Sequence, residues 1–129
     1  MSAVALYSGL MVLLFVALSV NVSRLRGPAK RSYGADEGTP LYMAMRAHGN
    51  LAETLPIALI VLFLLAATGY AAWLIHVFGI VLVVARLAHA HGLISDVNGN
   101  ALTPTRMVGA GLTQLYLVLG GLLVLIGAF

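Results

Sequence analysis

The sequence predicts an all-α integral membrane protein, a bundle of four membrane-spanning helices that forms one domain over residues 1–129. Composition is the first reason, because 61% of the residues are hydrophobic, only 9% are charged and the mean hydropathy is +1.02. Soluble domains devote about a quarter of their residues to charge. Length is the second reason, because a helical span needs about 20 apolar residues, and four spans nearly use up 129 residues. We therefore expect no separate soluble catalytic domain.

Four apolar runs define the helices in chain order. The predicted spans are residues 3–23, 42–67, 71–91 and 105–128. The first helix is expected to end near Gly27 and Pro28, where polar residues return. The connection at 68–70 is so short that the second and third helices should form an antiparallel hairpin. Residues 92–103, with the turn sequence NGN at 98–100, predict a polar loop, and Pro104 opens the fourth helix at a typical first-turn position.

Basic side chains predict the orientation of the bundle. The two long connections carry Arg24, Arg26, Lys30, Arg31 and Arg106, whereas the short turn and both ends of the chain carry no charged side chain. The positive-inside rule then predicts cytoplasmic long loops and outside termini. The first residues lack the basic region of a cleaved signal, so we expect the first helix to remain as an anchor. We expect membrane lipids as partners. We do not expect nucleic acid, because so little of the protein would lie outside the membrane.

Polar side chains inside the spans are the candidate functional residues, because ionisable groups at that depth are costly unless they are paired. They are Arg46, His48, Asn50 and Glu53 on the second helix and Arg86, His89 and His91 on the third. With 3.6 residues per turn, Arg46, Asn50 and Glu53 share one stripe. Arg86 and His89 share a face of the third helix. Glu53 and Arg86 lie at similar depth, so we expect a buried ion pair, which could simply fix the register of the two helices.

The absence of cysteine and the spacing of the histidines limit the reactions and metal sites that the chain could support. The chain has no cysteine, which excludes disulfides, thiolate metal sites and nucleophilic sulfur of its own. Any thiol must come from a ligand. His89 and His91 are two residues apart and face apart on a helix, so no metal site is predicted. His76, alone in the outer half of the third helix, is expected to hydrogen-bond to another helix. Glycines 109, 111, 120 and 121 permit close helix packing, within one subunit or between subunits.

The polar run on the second helix carries a family resemblance. The sequence RAHGNLAETLP at 46–56 resembles the second-helix signature of the MAPEG superfamily, the membrane-associated proteins in eicosanoid and glutathione metabolism. That signature is RAxxNxxE followed by proline. The sequence RLAH at 86–89 is similar to the superfamily's third-helix motif, and RLR at 24–26 and TPTR at 103–106 also fit. The Tyr-Gly pair at 33–34 resembles a short bacterial inner-membrane branch related to microsomal glutathione transferases.

The resemblance implies a left-handed four-helix bundle that forms a homotrimer in the bacterial inner membrane. It implies glutathione as co-substrate, bound between neighbouring subunits near the cytoplasmic face. The matching glutathione-binding positions are Arg24, Arg46, Asn50, Glu53, Arg86 and His89. Arg106 matches the proposed thiolate-stabilising arginine and would be the catalytic residue. Arginine suits this role chemically, because its fork of donors fits carboxylates and its charge favours a thiolate over a thiol.

Three departures from the family pattern leave the activity open. Gly49 replaces an arginine of several eukaryotic members, Leu93 replaces an expected pocket tyrosine, and Met107 replaces a serine beside the catalytic arginine of prostaglandin E synthase. We favour a glutathione transferase or peroxidase acting on lipophilic electrophiles. The alternatives are a non-catalytic lipid or glutathione binder or scaffold, and a small proton-coupled transporter. The transporter is disfavoured, because its single membrane carboxylate, Glu53, would have arginines beside it.

Overall fold

A computed structural model of the protein describes residues 1–96 and 102–129. The described residues form four helices: α1 (Ser2–Ala29), α2 (Pro40–Ala67), α3 (Ala72–Ile94) and α4 (Pro104–Gly127). Each of the four is long and apolar enough to cross a membrane. The prediction of an all-α protein with four long apolar helices is confirmed.

The helices are not arranged symmetrically around the core. Helices α2 and α3 each contact all three other helices, whereas α1 and α4 make no contact with each other within the described ranges. A turn at 68–71, in which Gly69 has φ 86°, joins α2 to α3. The central α2–α3 hairpin therefore separates α1 on one flank from α4 on the other.

The first helix is longer than the sequence indicates. It continues through Pro28 to Ala29 and ends where Lys30 adopts a left-handed conformation, with φ 51°. The amide of Lys30 donates to Gly27 O and that of Arg31 donates to Arg26 O, which completes a Schellman-type end. A proline in the last turn removes only one backbone hydrogen bond, so it does not stop the helix before the Schellman bonds do.

The starts of α2 and α4 follow the capping rules. Thr39 Oγ1 accepts from the Tyr42 amide at 3.3 Å and Thr103 Oγ1 accepts from the Arg106 amide at 3.4 Å, and each cap is followed by a proline. The prediction for Pro104 is confirmed. The loop prediction from residue 92 was wrong, because α3 continues to Ile94 and buries Leu93. The turn sequence at 98–100 lies outside the described residues.

Buried leucines and three tyrosine hydroxyls join the helices. The most deeply buried large side chains are Met11, Leu51, Leu62, Leu65, Leu82, Thr113 and Tyr116. Tyr116 donates to Ala58 O at 2.8 Å, and Tyr70 donates to Leu123 O at 2.7 Å. Tyr7 Oη lies 3.0 Å from His76 Nδ1, which confirms the predicted interhelical hydrogen bond of that histidine. The phenol hydroxyls thus find hydrogen-bond partners within the bundle, as buried tyrosines usually do.

Two of the α4 glycines pack inside the subunit and two do not. A methyl group on Gly109 would meet the backbone of His89 and Ala85, and one on Gly120 would meet Val61. At Gly111 and Gly121 a methyl group would meet nothing within 4 Å. Close approach of α4 to α3 therefore depends on Gly109.

Candidate functional site

The seven residues that the family resemblance assigns to the glutathione site lie toward one end of the bundle. They are Arg24, Arg46, Asn50, Glu53, Arg86, His89 and Arg106. They lie near the end of α1, in the first half of α2, in the second half of α3 and in the first turn of α4. Glu53 precedes the end of α2 by 14 residues and Arg86 follows the start of α3 by 14. At 1.5 Å per residue both lie about 21 Å from the α2–α3 turn. With the α2–α3 turn at one edge of a hydrocarbon core about 30 Å thick, both residues would lie inside the core.

Arg86 is the centre of a buried polar network that joins three helices. Only 2% of its surface is exposed. Its Nη2 donates to Asn50 Oδ1 on α2 at 2.7 Å, and its Nη1 donates to Thr113 Oγ1 on α4 at 3.4 Å. Thr113 in turn donates to Gly109 O at 2.8 Å. The Arg86 Nε is buried and has no hydrogen-bond partner in the described part of the chain.

The prediction of a Glu53–Arg86 ion pair is wrong for the single chain, in which the two side chains do not pair. Glu53 is exposed, and the salt bridge found among residues 1–96 and 102–129 joins Arg31 to Asp36 instead. The depth argument was sound, but depth does not determine rotation about the helix axis. On α2, Glu53 points away from the face that buries Ala47, Leu51 and Leu55, whereas Asn50 lies closer to that face. The neutral amide, and not the carboxylate, therefore contacts Arg86.

Asn50 and Glu53 provide a matched test of this arrangement. We expect Asn50→Ala to lower the unfolding midpoint of the detergent-purified protein clearly, because loss of a buried charge's partner typically costs about 1–3 kcal/mol. Glu53→Gln keeps the size of an exposed side chain and removes a charge that has no ion pair among the described residues, so it should not lower the ligand-free midpoint. Equal shifts from both variants would contradict the arrangement.

His89 connects α3 to the start of α4. It is 6% exposed, and its Nδ1 lies 3.2 Å from the carbonyl oxygen of Arg106. A carbonyl only accepts, so this nitrogen must carry the hydrogen. Gly92 packs directly against the Arg106 backbone. The backbone of Arg106 is thereby held in place, while its guanidinium is half-buried and makes no hydrogen bond or ion pair within the described ranges.

The remaining two candidates, Arg24 and Arg46, are exposed. The guanidinium group of neither residue makes a hydrogen bond or an ion pair with the described residues. Arg24 is on α1 and Arg106 is on α4, so they lie on opposite flanks of the α2–α3 hairpin. One chain brings Asn50 and Arg86 together and places His89 against the Arg106 backbone. It does not bring together all seven side chains.

Comparison with known proteins supplies the family. A model of the MAPEG family matches residues 4–127, which is nearly the whole chain. The chain belongs to the MAPEG family. The family resemblance expected from the helix motifs is confirmed.

Two relatives of this MAPEG protein are bacterial. The inner membrane protein YecN of Escherichia coli K12 is 39% identical over 88 residues, which are 68% of this chain and 67% of YecN. YecN of Escherichia coli O6:H1 matches with the same identity and coverage. With four candidate membrane spans, this MAPEG protein is an integral membrane protein homologous to a bacterial inner membrane protein.

Sequence reasoning missed Thr113 and the inward role of Asn50 in this MAPEG chain. The hydroxyl of a threonine in a membrane span usually donates to the carbonyl four residues before it, and Thr113 does donate to Gly109 O. Its second contact, with Arg86, has no signal in the sequence.

The structure locates the three residues that depart from the family pattern. Leu93 is buried, Met107 is 56% exposed, and a side chain at Gly49 would meet open space. The described ranges contain no group of three or more histidine or carboxylate side chains that could hold a metal.

Proposed function

We propose that this MAPEG protein binds glutathione at the basic end of the bundle and uses Arg106 to stabilise its thiolate for transfer to lipophilic electrophiles. The observation that carries the proposal is the outward face of α2. Arg46 and Glu53 are exposed there, beside the exposed apolar side chains of Ile57 and Ile60. A carboxylate directed at lipid within the hydrocarbon core costs several kcal/mol. Glu53 has no ion pair among the described residues, so this face favours a polar partner from outside the chain, which would be a bound polar ligand, a second copy, or both.

The unpartnered cations match the chemistry of glutathione. The guanidinium groups of Arg24, Arg46 and Arg106 make no hydrogen bond or ion pair with the described residues, and glutathione brings two carboxylates. Its amino group would suit the carboxylate of Glu53. Its thiol, with an ordinary pKa of about 8.5, would lose its proton more readily beside a guanidinium. A chain without cysteine needs this nucleophile from a ligand.

The flank positions of the arginines favour a site between subunits. Arg24 and Arg106 lie on helices that do not touch each other in one chain. A second copy could bring one chain's α1 end beside another chain's α4 start and could cover the Glu53 face at the same time. We propose that this assembly is the homotrimer that the family motif implies. The long loops and the site would face the cytoplasm, as the basic residues predict.

Thermal unfolding with and without glutathione tests the proposal. A ligand that binds only the folded protein raises the unfolding midpoint, so we expect millimolar glutathione to raise the midpoint of the detergent-purified wild type. The rise should shrink in Arg106→Ala and persist in Arg31→Ala, since Arg31 is exposed and paired with Asp36. Absence of a rise in wild type at millimolar glutathione would reject the glutathione site.

A second candidate function is non-catalytic binding of glutathione or lipid. It is favoured by the positions of the departures, because Leu93 and Met107 provide no hydroxyl next to the proposed thiolate. Conjugation of 1-chloro-2,4-dinitrobenzene separates the two functions. Stabilisation by glutathione together with conjugation supports the transferase, whereas stabilisation without conjugation of this or other lipophilic electrophiles supports the binder.

A further inference from the structure

A groove lies between the end of α1 and the start of α2. Its volume is about 310 Å³, which is within the range of small-molecule pockets. The groove is lined by Leu25, Pro28, Ala29, Thr39, Pro40 and Leu41. The Thr39 hydroxyl is already engaged, because it donates to Asp36 O at 2.6 Å and accepts from the Tyr42 amide. The groove therefore offers a ligand an almost entirely apolar wall.

The depth of the groove is that of lipid headgroups. Leu25 follows the start of α1 by 23 residues, or about 35 Å along the axis at 1.5 Å per residue. With the start of α1 at one edge of a hydrocarbon core about 30 Å thick, the groove would lie just beyond the opposite edge, at the end of the bundle that carries the basic residues.

Two cations that neighbour the groove residues in the chain, Arg26 and Lys30, have no counter-ion among the described residues. Arg26 is next to Leu25 on α1; its Nη1 is buried without a partner in the described part of the chain, and its Nη2 reaches only Met45 Sδ at 4.0 Å. A thioether is a weak acceptor, so the guanidinium still needs an anion. Lys30 follows the last turn of α1 and is exposed. Arg31 differs, because its guanidinium bonds Asp36 at 2.9 and 3.0 Å.

We propose that this groove binds an anionic glycerophospholipid. Its phosphate would bind Lys30 and, once the Arg26 side chain turns away from Met45 toward the groove, Arg26, while the first part of an acyl chain would lie against Leu25, Pro28 and Leu41. Charge complementarity and the apolar wall together identify this ligand class, since a soluble anion would gain nothing from the hydrocarbon surface. Basic pockets beside membrane helices on the cytoplasmic side commonly bind anionic lipids. This site goes beyond the proposed glutathione function, because neither Arg26 nor Lys30 belongs to that set.

Lipid titration of the full-length protein tests the proposal. Dioleoyl-phosphatidylglycerol, dioleoyl-phosphatidylcholine or inorganic phosphate would be added to the detergent-purified protein, and the unfolding midpoint would be followed. We expect phosphatidylglycerol to raise the midpoint with saturation, while the other two have little effect. Equal effects of both lipids would overturn the proposal, and so would an effect of phosphate equal to that of phosphatidylglycerol.

Matched variants test the residues. We expect Arg26→Gln to weaken the apparent affinity for phosphatidylglycerol about tenfold, as for loss of a charge-assisted hydrogen bond. Lys30→Gln and Ala29→Phe, at exposed positions, should weaken it without loss of folding, the second by filling the groove. Arg31→Gln removes the same charge from just beyond the end of α1 and should change the affinity less than twofold. An equal loss in Arg31→Gln would show a general charge effect and overturn the site.

Discussion

Arg106→Ala is expected to lower the rate of glutathione conjugation by about 10²–10³-fold, the usual cost of removing one group that stabilises transition-state charge. Glutathione binding should weaken less, since the other arginines and Asn50 would still contact the ligand. The physical reason is the thiolate, whose charge the half-buried guanidinium of Arg106 would stabilise. Conjugation of 1-chloro-2,4-dinitrobenzene over a range of glutathione concentrations gives kcat and KM separately.

The pH dependence of Arg106→Ala gives a second readout. A guanidinium lowers the pKa of the bound thiol below its ordinary value of about 8.5, so wild-type turnover should persist to lower pH. In Arg106→Ala the fall in turnover should move to higher pH, and Arg106→Lys should lie between the two. Arg31→Ala is the control for loss of one basic residue. An unchanged pH profile in Arg106→Ala would remove Arg106 from the chemistry.

Gly109→Ala is expected to destabilise the bundle more than any other single methyl addition to α4. The new methyl group would meet the backbone of His89 and Ala85. Backbone atoms cannot move aside by changing a rotamer, so α4 must shift away from α3. Overpacking in a tight site costs about 1–3 kcal/mol. The shift would also disturb the bond from Thr113 to Gly109 O, and with it the Arg86 network.

Gly111→Ala is the matched control, two residues further along the same helix. A methyl group there meets nothing within 4 Å, and alanine is favoured over glycine in a helix by up to about 1 kcal/mol. We therefore expect its unfolding midpoint to equal or exceed that of the wild type, while the midpoint of Gly109→Ala falls. Equal midpoints for the two variants would show that α3 and α4 do not approach closely at Gly109.

The candidate site shows where sequence reasoning succeeds and where it stops. Helical spacing correctly put Arg86 and His89 on one buried face, because position along a helix determines angle about its axis. The same rule put Glu53 and Arg86 at equal depth, but it cannot give the rotation of one helix relative to another. That rotation is decided by side-chain packing, which buries Leu51 and Leu55 and leaves Glu53 on the outside.

Thr113 and Arg26 illustrate the same limit. Both residues are ordinary in sequence, one a threonine in a span and the other an arginine in a basic loop. Their importance comes from neighbours distant in the chain, since Thr113 meets Arg86 at 3.4 Å and Arg26 meets Met45 at 4.0 Å. No local pattern encodes these contacts.

Composition, hydropathy and motif spacing by themselves determined the membrane class, the four helices and the MAPEG family, because these depend on local residue types and their order. The tertiary structure alone decided that Asn50 is the partner of Arg86, that Glu53 faces outward, and that α2 and α3 separate α1 from α4. The physical reason is that helix rotation and packing order depend on the joint fit of all side chains at the interfaces, and Gly92 and Gly109 set how closely α3 and α4 can meet.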